Sequence, residues 1–586
     1  MYNLKSLGEK IENYWHWPVL LAVVGIFFTA TTYFNARTQE FQRADGSGVD
    51  FVKWTSPDET ANYIFTKYFA QEGKMVIEEK YNLEVSDIMH PRSFRSDNGE
   101  MKPMSFLGII LIYGTIAKIF SYRIISYLTP LFASLGIIIY YLLIKRIFGR
   151  RNALISSLLL AVFPVYIYYT MRSMFHNVLF MVFLITGFYF AMVSMQQLIT
   201  DKLRQAFFIS FSGLFFGLAA ITRTSELIWI APVLFVAWLL NSSRAGWLRP
   251  LFFAAFFMLA LSPVLYFNNK LYGSPYSGGY AEMNTSINTI RSASSEILLT
   301  TTNGEVGKIK PLLESIKKSV FYFGFDAGKS LRMFKYYFIR MFPIYFVASI
   351  IGLAFFVYNW KEVRRRKIMF IIFWVISSAI LVFYYGSWEF HDNPDPRSFT
   401  IGNSYTRYWL PIYLGAIPFV ALAIDKASRS IGKVLSRGRK DIIFHSMRLI
   451  MITSALMVVS FTSIHFLLFG SEEGLAGLYK KAKQARGEWA MLLRSTPNNS
   501  AIITRYHDKL LFPERKVIVG DFNDNNMNKL YAVLADKLPL YYYNFTLPQK
   551  DVDYLNNRRL ADFGLSIAPT NVINNNFSLY KIEKRK

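Results

Sequence analysis

The chain has 586 residues, 53% of them hydrophobic and 17% aromatic, with a mean hydropathy of +0.25. That excludes a soluble protein of ordinary composition and defines a polytopic membrane protein. Its formal charge of +26 sits in short Lys/Arg clusters between apolar runs, as in cytoplasmic loops, so membrane lipids and not nucleic acid are the expected partners. With no cysteine, thiol catalysis, disulfides and cysteine-ligated metals are excluded.

The first apolar run, about residues 18 to 34, is too long for a signal-peptide core and has no convincing small-residue cleavage site after it; it reads as a retained anchor. "SPDETANYIFTKYFAQEG" follows at 56 to 73, with apolar residues at helical spacing. Ser56 reads as the N-cap, Pro57 as the first helical residue, Glu59 as the third and Gly73 as the stop. Capping and the helix dipole alone would account for the adjacent acids Asp58 and Glu59.

Runs long enough to span, at roughly 20 residues each, begin near 18, 124, 153, 177, 207, 226, 248, 337, 367, 409 and 446. The basic stretches "KRIFGRR" (145 to 151), "KEVRRRK" (361 to 367) and "DKASRSIGKVLSRGRKD" (425 to 441) should share the cytoplasmic side. With a cytoplasmic N-terminus this holds only if 102 to 121 lies along or dips into the outer interface. The fold expected is therefore a polytopic α-helical membrane protein of about eleven spans, residues 1–470, with interfacial helices in the first external loop, 35–103. Residues 471–586 are polar, mix short β-prone and helical runs, and predict a small α/β domain outside. Few of its residues form an apolar face that would pack on a span, so it is expected to be dispensable for folding of the membrane part.

Several ionisable residues fall at the outer ends of spans. Lys102 in "NGEMKP" has the plain reading of a snorkelling anchor. Arg172 in "YYTMRSMFHN", Arg223 in "ITRTSEL" and Arg407 in "SYTRY" are positive charges on the face that should be poor in them. Phosphate held there would explain them, because guanidinium and ammonium groups bind it through charge-assisted hydrogen bonds. In "HDNPDP", His391, Asp392 and Asp395 carry a nitrogen and carboxylates that suit a divalent metal, a possible cofactor; a solvated turn is the plainer reading.

Together these stretches resemble the GT-C superfamily of membrane glycosyltransferases, in the branch of protein O-mannosyltransferases and aminoarabinose transferases. "PDETANYIFTKYFAQEG" is similar to that family's first-loop PDE segment, "EMKPMSFLGIILIYGTIAKIFS" to its KPP-L segment, and "YLLIKRIFGRRNALISSLLLAVFP" to its basic loop and following helix. "GLAAITRTS", "NNKLYGSPYSGGY" and "SYTRYWLPIY" match later landmarks. The sequence departs from the pattern at Met104, where a second proline is usual, and at His176 and Asn177, where many members carry an acid.

The resemblance implies transfer of a glycosyl group from a polyprenyl-phosphate sugar donor to an acceptor hydroxyl on the outer face, with inversion. Asp58 would be the general base, Glu59 a supporting carboxylate and Lys102 a donor-phosphate contact; Arg172, Arg223 and Arg407 join the phosphate contacts from topology. The acceptor, glycan, lipid or protein, stays open, and a multi-pass plasma-membrane location is expected. The alternatives are a polytopic transporter or flippase, a polymerase or ligase of lipid-linked glycans, and a non-catalytic assembly protein.

Overall fold

The computed structural model describes residues 15–35, 52–195, 202–245, 248–281, 321–358, 364–392, 397–436 and 441–585, with a few positions between 284 and 319 and Asp395. Among the described residues, nine helices are long and apolar enough to cross a membrane, or eleven if each of two bent pairs counts as one span. The pairs are Arg150–Ala161 with Pro164–Met171, bent by 51°, and Ala327–Arg340 with Pro343–Tyr358, bent by 96°. In both, a proline opens the second helix, where its missing N–H costs nothing and its ring disfavours continuing the first. The eleven fall where the apolar runs predict them.

The basic stretches collect at one end of the bundle, where Lys367 lies over the Phe148 ring and Arg365 donates to the carbonyl of Leu240. The other end gathers the connections near residues 57–107, 172–176, 223–226, 272–280 and 387–408, tied by contacts such as Asn62 to the Met174 carbonyl (2.8 Å) and Tyr272 to that of Pro103.

At this second end the first loop departs from the expectation of helices alone. It holds the helix Pro57–Glu72 and a small antiparallel sheet in the order β1 (Ile77–Glu78), β3 (Glu100–Pro103), β2 (Phe94–Asp97). Lys102 therefore lies on a strand, and the helix beyond it, Gly108–Ile119, is only 12 residues. At 1.5 Å per residue it covers about 18 Å, short of the roughly 30 Å hydrocarbon core, consistent with a segment that does not cross. It is pressed to the end of Lys202–Thr222: a Cβ at Gly108 would stand 2.4 Å from the Ile221 carbonyl oxygen.

Past the last span, the helix Leu475–Ser495 leads into a five-stranded mixed sheet. Its order is β5 (Lys516–Val519), β4 (Ala501–Thr504), β6 (Leu540–Phe545), β8 (Phe577–Lys584), β7 (Leu565–Val572), with β4 parallel to both neighbours and the remaining pairs antiparallel. The domain is not loosely attached. Val85 and Met89 of the first loop enter the apolar core formed by Ile503, Leu540 and Tyr542. Buried Lys53 pairs with Glu514 at 2.5 Å and donates to the Phe512 carbonyl at 2.7 Å. These contacts join the domain to the first loop, a partner surface outside the spans.

Candidate active site

The helix Pro57–Glu72 starts as its sequence dictates. Ser56 is extended (φ −113°, ψ 147°), and the Glu59 carboxylate reaches back to accept the Ser56 backbone N–H at 3.1 Å, completing the capping box. Gly73 ends the helix at φ +70°, a conformation that favours glycine. The two acids then part. Glu59 is fully buried, and the oxygen that caps the helix, Oε2, also accepts from Arg172 Nη2 at 2.8 Å and Nε at 3.2 Å. Asp58 keeps 34% of its side chain exposed, accepts from Ser93 Oγ at 2.6 Å and faces Arg407 Nη1 at 3.6 Å.

Capping and the fully buried ion pair thus fall to Glu59, and the solvent-reachable carboxylate is Asp58. Arg172 emerges between the broken span and the helix His176–Ser194, and also donates to the Tyr168 hydroxyl at 3.0 Å. Arg407 lies on the short helix Ser404–Tyr408 and donates to Ser404 Oγ at 2.7 Å, while its carbonyl accepts from Asn177 at 3.1 Å. Both guanidinium groups lie against the Phe175 ring, at 4.9 and 4.6 Å, which fixes their planes. Arg407 Nε and Glu59 Oε1 are buried without a hydrogen-bond partner among the described residues.

The remaining sequence candidates are placed less simply. Arg223 donates from Nε to Glu226 at 2.9 Å and from Nη2 to the Tyr385 hydroxyl at 3.3 Å, under the Tyr408 ring at 4.5 Å. Glu226 in turn accepts from Trp229 Nε1 (2.6 Å) and Tyr385 (2.8 Å), so this cation is tied into a packing network. Lys102, 11% exposed, pairs with Glu100 at 3.0 Å and not with either acid of the 58–59 pair. Its strand is nonetheless close to Asp58's partner, since Met104 N–H donates to the Ser93 carbonyl at 3.3 Å. His391 is exposed and faces Glu389 at 3.7 Å, Asp392 accepts from the Ser404 N–H at 3.0 Å, and Asp395 accepts from the Arg397 N–H at 2.9 Å. Among the described residues no three His, Asp or Glu side chains gather as a metal-ligating group.

The C-terminal domain contributes residues that the sequence reading missed. Fully buried Asp508 accepts from Arg92 three times: backbone N–H at 2.8 Å, Nε at 3.0 Å and Nη2 at 2.6 Å. This anchors the residue next to Ser93, and through it Asp58. Lys509, next along, is half-buried in reach of the fields of Arg92, Asp508, Arg172 and Glu59; burial, then Arg92, pushes its ammonium down to about 8. Asp58, Glu59, Glu226 and Asp508 each face an arginine, whereas Lys509 has no carboxylate partner within 4.0 Å among the described residues. The one sequence signal was a charged trio, His507, Asp508 and Lys509, opening the apolar "LLF".

A helical bundle with a broken third span, its polar cluster at one end under a first-loop helix and a small α/β domain, has the GT-C fold. The chain is similar over 94% of its length to the Archaeoglobus fulgidus oligosaccharyltransferase AglB, in a structure with an inhibitory peptide and a dolichol-phosphate (13% identity, 71% of that chain, TM-score 0.53). It is similar over 96% to ArnT from Cupriavidus metallidurans bound to undecaprenyl phosphate (12% identity, 97% of that chain, TM-score 0.53). Residues 109–267 match the family of dolichyl-phosphate-mannose-protein mannosyltransferases. No curated protein sequence matches. The GT-C resemblance read from the sequence is thereby met in the fold and in this mannosyltransferase-like segment.

Proposed function

We propose that the protein is a membrane glycosyltransferase that moves a sugar from a polyprenyl-phosphate donor to an acceptor hydroxyl, with the site end of the bundle outside a plasma membrane and the basic end in the cytoplasm. The observation that carries this reading is the division of the acid pair: Glu59 is spent on the helix cap and Arg172, leaving Asp58 as the solvent-reachable carboxylate among the arginines. In this role Asp58 accepts the acceptor's hydroxyl proton as the oxygen attacks the anomeric carbon. The bond from that carbon to the phosphate oxygen breaks, and its electron pair leaves with the lipid phosphate.

A phosphate leaving group gains charge as it departs, and preorganised cations stabilise that charge more than they stabilise the bound donor. Arg407, with an unspent Nε, and Lys509, without a carboxylate partner, are the cations available for it. Lys102 is kept as a phosphate contact, on condition that it leaves Glu100. Arg172 and Arg223 shape the site through Glu59 and Glu226 instead of touching the donor. The similarity to structures holding dolichol-phosphate and undecaprenyl phosphate supports a lipid-linked donor. Purified protein supplied with a polyprenyl-phosphate sugar and an acceptor mixture should release polyprenyl phosphate. Release that is absent, or unchanged in Asp58→Asn, refutes the reading.

A further inference from the structure

One opening among the spans lies away from the acid pair. A half-enclosed cavity of about 510 Å³ lies among the spans and is lined by the helices that carry Tyr140, Leu184, Val233, Phe373 and Leu414. It begins at the basic end of the bundle, where Arg146, Arg364, Arg365 and Arg366 line its mouth and, among the described residues, no acid does. Toward the site end its wall reaches Trp229 and Pro411. From Arg365 to Ser377 the wall follows twelve residues of a single helix, Arg365–Gly386, or about 18 Å at 1.5 Å per residue. One leaflet of a membrane with a roughly 30 Å hydrocarbon core is about 15 Å deep, so the cavity is one leaflet tall.

We infer that this cavity is a binding site for an anionic phospholipid of the leaflet at the basic end, its phosphate held by the arginine mouth and an acyl chain filling the apolar bore. The charge arrangement selects this occupant. Arg146 Nε is buried without a hydrogen-bond partner among the described residues, and its guanidinium lies 4.6 Å from the Tyr189 ring, fixed in place. Arg364 caps the N-terminus of its helix, so the helix dipole adds to the positive field there. Basic pockets between membrane helices on such a face recruit anionic head groups, and a phosphate is matched by guanidinium donors. The donor's polyprenyl chain is the rival occupant. Its phosphate, however, belongs at the opposite end, beside Asp58, and a bare hydrocarbon tail has no use for four arginines.

Native mass spectrometry of the delipidated full-length protein tests the site. Phosphatidylglycerol should be retained at least about tenfold over phosphatidylcholine with the same chains, and glycerol 1-phosphate should not displace it. The exposed triple variant R364Q/R365Q/R366Q should bring the ratio of the two lipids near one. Ser377→Trp, which fills the end of the bore far from the arginines, should lower retention of phosphatidylglycerol in a protein that still elutes as a folded species. Equal retention of the two lipids by the wild type, or a preference untouched by the triple variant, overturns the inference. Displacement by glycerol 1-phosphate alone would mean a head-group patch without a chain site. Displacement by a polyprenyl phosphate whose own binding ignores the triple variant would assign the bore to the donor chain.

Discussion

The proposed site and the 364–366 run use arginine in opposite ways. At the site end Arg172, Arg223 and Arg407 each face a carboxylate and lie against an aromatic ring. At the basic end the 364–366 run is exposed at a cavity mouth that contains no acid among the described residues. Burial of an ion pair is costly, and breaking one is costlier still, so a buried pair marks a position whose geometry is held. Exposed arginines hold no comparable geometry and act through charge, on orientation in the membrane and on lipid head groups. Arginine is thus buried against a carboxylate where chemistry is proposed, and exposed along the 364–366 run, where, among the described residues, Arg365 is held only by the Leu240 carbonyl.

The contrast is broken most directly at Asp58. Asp58→Asn keeps the size and the helix start but removes the basic oxygen. Turnover should fall by roughly a hundred- to ten-thousand-fold, with donor affinity nearly unchanged, as read from kcat beside a donor-binding isotherm. A variant with near-normal kcat would remove chemistry from this end. Glu59→Gln should act on the fold instead: Arg172 loses its counter-charge inside the protein, at about 3 to 5 kcal/mol, seen as a large drop in the thermal unfolding midpoint. A Glu59→Gln protein as stable as Asp58→Asn would show that the pairing has no structural role.

Lys509 sharpens the comparison, being the site-end cation without a carboxylate. Its ammonium is present below about pH 8 and lost above it. Donor affinity should therefore weaken as pH rises through that value, and Lys509→Arg, which stays charged, should flatten the profile. Lys509→Met should cost on the order of tenfold in donor affinity at pH 7, in the range of one charge-assisted hydrogen bond. An identical pH profile in Lys509→Arg would place the titration elsewhere. The smallest change is expected from Ser56→Ala, about 1 kcal/mol of stability from the lost cap with kcat nearly intact, measured by the same unfolding and turnover assays.

What the sequence made legible follows from the range of each signal. Spans announce themselves over twenty residues, and the capping box at Ser56 and Glu59 is complete within four positions, so both were readable. β3 is not, because "EMKP" is too short to carry a period of two, and Lys102 reads instead as the start of the interfacial run 102 to 121. For Arg223 the local pattern shows Glu226, one helical turn on, but not Tyr385, brought in from 162 residues away. The clamp of Arg92 on Asp508 spans 416 residues and leaves no local trace. The ion pairs that tie the distal domain to the first loop are long-range in the same way, so no local pattern shows them.

That clamp bears on how such a protein can be rebuilt. Asp508 grips Arg92, Ser93 follows, and Ser93 holds Asp58 at 2.6 Å, so the distal domain is two links from the proposed base. A chimera that exchanges residues beyond 470 while keeping the native loop would leave Arg92 and Lys53 facing a foreign surface. Only a graft that carries both segments, 52 to 103 and the distal domain, would transfer the carboxylate's position along with the domain, making these two stretches one transplantable part despite lying at opposite ends of the chain.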